Sequence, residues 1–312
     1  MDRRGRRAAL IAALAATLSL PAGAAPLTAQ RWLAKGADPR VLARQPAECL
    51  EKRSGDARLS VEIGRAAFRS PTLLGGQAAR AGLSCESCHR NGRGNPDFHF
   101  PGISGEPGTA DVTASLFSKR RGDGSFNPKP IPDLGGPGES LKFARGKADV
   151  RRRFIHGLIV EEFDGGEPPP MVLQGLTDYV GALRACAAPA RPLRAADYGA
   201  DALRAARAAQ GALAKGDAGA ALVMVAAARS RLGAIAQRYP GDDLAPVRAR
   251  LLQADAALVR VRDDIAAGEA ARANQWLGRW VLTSGTWRRP VRVSEPKSLF
   301  DEERLAAASR AP

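Results

Sequence analysis

Cys85, Cys88 and His89 share one pentapeptide, Cys85-Glu86-Ser87-Cys88-His89. Two thiols at positions i and i+3 lie about one helical turn apart, so they can bond the two vinyl-derived carbons on one edge of a porphyrin. The histidine that follows directly then falls beneath the iron and supplies an imidazole ligand. Cys-x-x-Cys-His is the attachment signature of a c-type haem, and a covalently held haem makes redox chemistry at iron the expected business of the chain. Two other chemistries use such cysteines. A thioredoxin-like pair sits at a strand-to-helix turn of a βαβ unit, whereas residues 75–80 ahead of this motif read as small and loop-like. A zinc site built on Cys85, Cys88 and His99 would ordinarily bring a second closely spaced ligand pair, and the sequence offers none.

With His89 as the proximal ligand, three side chains compete for the other face of the iron. Met171 lies C-terminal to the motif, just before an amphipathic segment, and thioether ligation raises the potential of an electron carrier. His156 would give bis-histidine ligation and a lower potential. His99 stands between Phe98 and Phe100 in a loop that could wrap the group. The fourth alternative is an open iron, which would admit peroxide. Glu161, Glu162 or His156 could then assist proton transfer, although no catalytic residue is assigned.

The N-terminus supports export. Arg3, Arg4, Arg6 and Arg7 precede an apolar run from Ala8 to Leu20, and small residues follow through Ala25. That pattern is a secretory signal peptide over residues 1–24, cleaved near Ala24, and the run is too short for a membrane span. Ordinary secretion fits a haem attached after export better than the twin-arginine reading. The expected location is periplasmic. There, Cys49 and Cys186, which flank the motif on either side, are candidates for a disulfide.

The full chain of 312 residues carries a formal charge of +15, and removal of the leader leaves about +12. Nucleic acid is an implausible partner outside the cytoplasm. An acidic redox protein or an anionic membrane surface is the expected partner, because opposite charge steers encounter.

The elements that must position these residues are helical. Residues 25–58 read as an irregular N-terminal extension anchored by Trp32. A haem domain spans 59–187. It opens with a helix through Val61, Gly64, Ala67 and Phe68 and continues through a Gly/Pro-rich loop over 91–140. It closes with one helix through Val150, Phe154, Leu158 and Ile159 and another through Val172, Leu176, Tyr179 and Leu183. Small cytochromes c cross their first and last helices through glycine and aromatic residues, which predicts Gly64 and Phe68 against Tyr179 and Leu183. Beyond Pro189 the chain turns rich in Ala, Arg and Leu. Leu244, Val247, Leu251, Leu258, Val261 and Ile265 form a narrow packing stripe, preceded by a helix through Leu222 and Tyr239, with Asp243 able to cap the second helix. A third helix runs through Trp276 and Trp280. The expected fold is all-α: a cytochrome c-like haem domain with long irregular loops, a helical hairpin or bundle over 191–284, and an irregular tail over 285–312.

From Val61 to Leu183 the pattern resembles the bacterial di-haem cytochrome c peroxidase family and its relatives in methylamine-dehydrogenase maturation. Gly64-Arg65-Ala66-Ala67-Phe68 followed by Leu83-Ser84 and the pentapeptide is similar to the start of that family's haem segment. Phe154-Ile155, Glu162-Phe163 and Leu176–Leu183 are similar to its closing helices. The resemblance implies a haem c held by Cys85, Cys88 and His89. Members of the family carry two haem motifs and this chain carries one; no tryptophan lies between Trp32 and Trp276 to serve as an inter-haem relay. The expectation is therefore an exported mono-haem c-type cytochrome acting in electron transfer. The alternatives are a peroxidase-like haem enzyme with an open distal site, or the haem subunit of a periplasmic dehydrogenase complex.

Overall fold

A computed structural model describes residues 27–310 apart from 115, 118, 119, 138–140 and 145. The expected signal peptide, with its expected cleavage near Ala24, lies outside the described residues. The chain is mostly helical. A first pair of helices, α1 (Gly55–Phe68) and α5 (Pro170–Ala182), crosses face to face. Between them in sequence lie three shorter helices: α2 (Gly76–Arg80), the single turn α3 (Cys85–Cys88), and α4 (Ala148–Gly157), which continues into a wider π turn over Leu158–Glu162. Residues 75–80, read from sequence as a loop, thus contain a short helix. Among its described residues the Gly/Pro-rich stretch is mostly irregular, with a 3₁₀ turn over Arg90–Gly92 at its start and a two-residue ladder in which β2 (Thr109–Ala110) pairs with β3 (Lys129–Pro130).

The α1–α5 crossing is set by two glycines. A Cβ on Gly64 would meet the Gly175 carbonyl oxygen at 1.8 Å, so the backbones touch where any side chain would hold them apart. Phe68 then reaches Tyr179 edge-on, with ring centroids 5.1 Å apart. α5 opens on Pro170, where the missing N–H of proline is tolerated because the first helical N–H has no partner inside the helix.

The second half is a bundle of α6 (Ala195–Ala214), α7 (Ala218–Gln237), α8 (Ala245–Ala266) and α9 (Ala270–Leu282). Its alanines have a packing role: Ala202, Ala206 and Ala209 on α6 and Ala220, Ala221 and Ala228 on α7 are fully buried. Small side chains with the highest helix propensity let these two helices pack closely along their length. Asp217 caps α7 by accepting from the Ala220 N–H at 2.8 Å. Asp243 does not cap the next helix; a 3₁₀ turn over Asp242–Leu244 leads into α8. Gly268, at φ +80, separates α8 from α9. The stripe Val247, Leu251, Leu258, Val261 and Ile265 is buried. Trp280 and Trp287 meet in the core with centroids 5.8 Å apart, while Trp276 is 40% exposed.

Three boundaries stand out against the sequence-based expectation. One apolar core runs without a break from α1 and α5 into α6–α9, so the helical half packs on the first half through a shared interior. The tail expected to be irregular holds α10 (Gly285–Ser294), which tolerates Pro290, and α11 (Glu302–Arg310). The N-terminal extension is a strap. Leu27 and Ala43 form a small core with Leu299 and Leu305; Arg40 pairs with Glu303 at 3.0 Å; and β1 (Arg44–Gln45) pairs antiparallel with β4 (Arg191–Pro192). Cys49 and Cys186 are joined as a disulfide across 137 residues, beside the Leu50–Leu183 bridge.

Candidate functional site

α3 is a single closed turn. The His89 N–H donates to the Cys85 carbonyl at 2.8 Å, the Ser84 N–H donates to Ser87 Oγ at 3.0 Å, and Asn95 Nδ2 donates to the Ser87 carbonyl at 2.8 Å. Ser84, Ser87 and Asn95 are buried. They fix the turn that presents Cys85 and Cys88, which are unbridged and half-buried. Cys85 packs on the main core and Cys88 on a second cluster around Phe98, Ile103, Ala114 and Phe117. The turn therefore straddles two apolar surfaces. Burial pushes both thiols up to about 12, so they stay protonated at neutral pH and are poor nucleophiles for thiol exchange.

The His89 ring is held from one side. Its Nδ1 lies 3.0 Å from the Pro132 carbonyl oxygen. A carbonyl can only accept, so the proton sits on Nδ1 and Nε2 keeps its lone pair. Burial pushes the imidazole down to about 4, against the opposing pull of the Pro132 bond and Asp133. The ring is neutral at physiological pH, the form that ligates a metal. Residues flanking Pro132 are tied to those following the histidine. The Leu134 N–H donates to the Gly92 carbonyl at 2.9 Å, and Arg93 pairs with Asp133 at 2.6 Å. A Cβ on Gly94 would crowd the Ile131 carbonyl at 2.9 Å. Phe68 stands beside the ring, centroids 6.4 Å apart.

Behind this turn lies a buried cluster of charges. Arg69, 4% exposed, donates to Glu48 Oε1 and Asn91 Oδ1, each at 2.8 Å. Its Nε lies 3.5 Å from Glu86 and 3.6 Å from Asp201. Tyr179 donates to Glu48 at 2.7 Å, and Arg65 also pairs with Glu48. One guanidinium thus joins the strap, α1, the middle of the pentapeptide, and α6. Burial alone would raise Glu48, but Arg69 and Arg65 hold it below the usual carboxylate range. For Asp201 burial is likewise outweighed, by Arg69, Arg231 and Arg204, bringing it to about 2. Glu86 goes the other way: its burial outweighs Arg69 and raises it.

The three residues considered for the far side of an iron are dispersed. Met171 occupies the first turn of α5 and packs on the main core. It is eight residues from Tyr179, about 12 Å along the helix axis. His156, on α4, turns its Nε2 to Glu167 at 2.8 Å. His99 is tied through its N–H to the Trp32 carbonyl at 2.8 Å. Cys85, Cys88 and His99 form no metal-holding group; among the described residues no set of three or more His, Cys, Asp or Glu side chains does. Of the acidic pair, Glu161 and Glu162 both pair with Arg121, and Glu162 is buried with Oε2 lacking a hydrogen-bond partner.

Pro132 and the Arg69 cluster were not found by reading the sequence. A backbone carbonyl has no residue-type signal, and scattered Arg and Glu read as surface. Comparison of this chain with protein-family models, curated proteins and solved structures finds no match.

Proposed function

We propose that this chain is an exported mono-haem c-type cytochrome that carries electrons. The observation behind the proposal is the arrangement at His89. Nδ1 is committed to Pro132 and the ring is neutral, so the Nε2 lone pair is available to iron. The donor set fits the group: two unbridged thiols on one turn, with the imidazole next in sequence. Cys85 and Cys88 would hold the porphyrin as thioethers, and His89 would be the proximal ligand. Bound there, a haem supplies a one-electron ferric/ferrous couple. The protein's own contribution is to fix the ring's tautomer and orientation through Pro132 and to enclose the turn between two apolar clusters, which limits water.

The expected partner is an acidic redox protein or an anionic membrane surface. The stretch 270–294 carries five arginines and no acidic residue. Trp276, Leu282 and Val293 are exposed along it, a composition suited to docking against negative charge.

A second reading is a peroxidase-like haem enzyme. Glu162 favours it: a buried carboxyl in a π turn, a feature frequent at functional sites, with one oxygen unpartnered. Optical spectra of the matured protein, oxidised and reduced, with and without carbon monoxide, separate the two. A low-spin spectrum unmoved by carbon monoxide fits the carrier, and a near-infrared sulfur-to-iron band lost in Met171→Ala would identify the distal ligand. A high-spin spectrum with ready carbon monoxide binding fits the enzyme. Absence of any haem absorbance after maturation would overturn both.

A further inference from the structure

The reverse face of α3 forms one wall of a cleft of about 440 Å³. Ser84, Glu86 and Ser87 line it, whereas Cys85, Cys88 and His89 do not. The opposite wall is α7, with the N-terminal strap closing one side. Four arginines line the cleft, Arg69, Arg90, Arg231 and Arg238, against two carboxylates, Glu86 and Asp97.

These arginines differ in how their charge is compensated. Arg69 is surrounded by carboxylates, as described above. The other three are held chiefly by main-chain carbonyls. Arg90 donates to Val41 O at 3.1 Å and has Asp97 at 3.8 Å. Arg231 donates to Arg69 O at 3.2 Å. Arg238, 4% exposed, donates to Leu299 O at 2.8 Å and Leu42 O at 2.7 Å. Among the described residues no carboxylate comes within 4.0 Å of Arg231 or Arg238. Carbonyls orient a guanidinium but do not neutralise it; Arg231 feels Asp201 and Glu86 only at longer range, and buried charge without a close counter-charge is costly. Both guanidiniums lie near the Tyr198 ring, that of Arg231 5.3 Å and that of Arg238 5.9 Å from its centroid. These ring contacts, with Phe300 4.8 Å from Arg238, help hold both cations at the lining of a volume within the range of small-molecule sites.

We propose that this cleft binds a small organic dianion. The excess of two positive charges in its lining calls for two negative charges. Its volume exceeds what a bare oxyanion fills, and the Tyr198 and Trp32 walls suit a flat carbon body. Planar guanidiniums pair with carboxylates in bidentate fashion. The cleft is on the side of α3 away from the thiols, so this inference stands or falls independently of the haem reading.

Phthalate is the probe, with sulfate as a dianion lacking the carbon body. Both are titrated calorimetrically into the exported, mature protein at low salt. Phthalate should bind saturably at one site, with sulfate weaker by about tenfold or more. Arg231→Gln should weaken phthalate about tenfold, the worth of one charge-assisted hydrogen bond, with the circular dichroism spectrum of the folded protein retained. Ala234→Phe, from the α7 wall, should block binding while keeping every guanidinium. No saturable phthalate binding at millimolar concentration would overturn the proposal. So would sulfate binding as well as phthalate, or wild-type binding in both variants.

Discussion

His89 Nδ1 and the Pro132 carbonyl oxygen lie 3.0 Å apart across 43 residues of sequence. The contact turns a side chain able to bond through either nitrogen into one with Nε2 alone free, and it sets the ring plane. His89→Gly should therefore leave both cysteines able to carry haem, with covalent haem still visible on a denaturing gel, while the spectrum loses its low-spin character. Added imidazole should restore that character in the folded variant. Loss of covalent haem in the variant, with the protein itself recovered folded, would count against His89 acting only as a ligand.

Gly64 permits the crossing that brings Phe68 to both Tyr179 and His89. Gly64→Ala places a methyl into the Gly175 carbonyl, and neither backbone can yield without parting the helices. The expected destabilisation is about 3 kcal/mol, the upper end for overpacking, read from urea unfolding. Gly233→Ala on α7 is the control, since its Cβ would meet nothing within 4 Å; it should unfold no earlier than wild type.

The Cys49–Cys186 disulfide closes 137 residues, a loop that contains the whole pentapeptide region. In the chain-entropy treatment such a closure contributes about 5 kcal/mol. Replacing both cysteines with serine should lower the melting temperature markedly. Dithiothreitol should reproduce that loss in the wild type and leave haem attached, because a thioether has no S–S bond to reduce. Release of haem by the reductant would refute thioether attachment at Cys85 and Cys88.

Much of the helical framework was legible because its signals are local and periodic: Gly64 and Phe68 at helical spacing, the Val247-to-Ile265 stripe, and the pentapeptide itself. Other parts required information that residue types do not hold. Residues 76–80 make a helix although two glycines precede Gln77, because Ala78 is buried in the second cluster. α10 forms despite Pro290 and its arginines because Trp287 and Val291 are drawn into the bundle. The unity of the core was hidden as well. Whether the alanine-rich half stands alone or packs on the first half is not written in residue types, yet Leu59 of α1 packs so close to Gly211 of α6 that a Cβ there would lie 2.6 Å away. Charges looked like surface because nothing in the sequence reveals that Glu48, Arg69 and Asp201 converge.

That convergence predicts a specific acid sensitivity. Burial would raise Asp201, but Arg69, Arg231, Arg204 and Arg65 outweigh it and bring the folded value to about 2, against 3.8 for an unperturbed aspartate. A carboxylate with a depressed folded value stabilises the fold above its unfolded value, and that contribution is lost as pH falls through the folded one. Asp201 should thus contribute on the order of 2 kcal/mol at pH 7, undiminished down to about pH 5 and fading between pH 4 and pH 2. Glu48 is lowered too and adds in the same direction. Asp201→Asn should unfold more easily than wild type at pH 7, with the two curves converging near pH 2. Chemical denaturation across that range gives the test, and a gap that stays constant with pH would mean that Asp201 acts through packing rather than charge. The variant also uncovers part of Arg69's charge beside Glu86, so any change in haem potential that accompanies it reports how far this cluster reaches toward the pentapeptide.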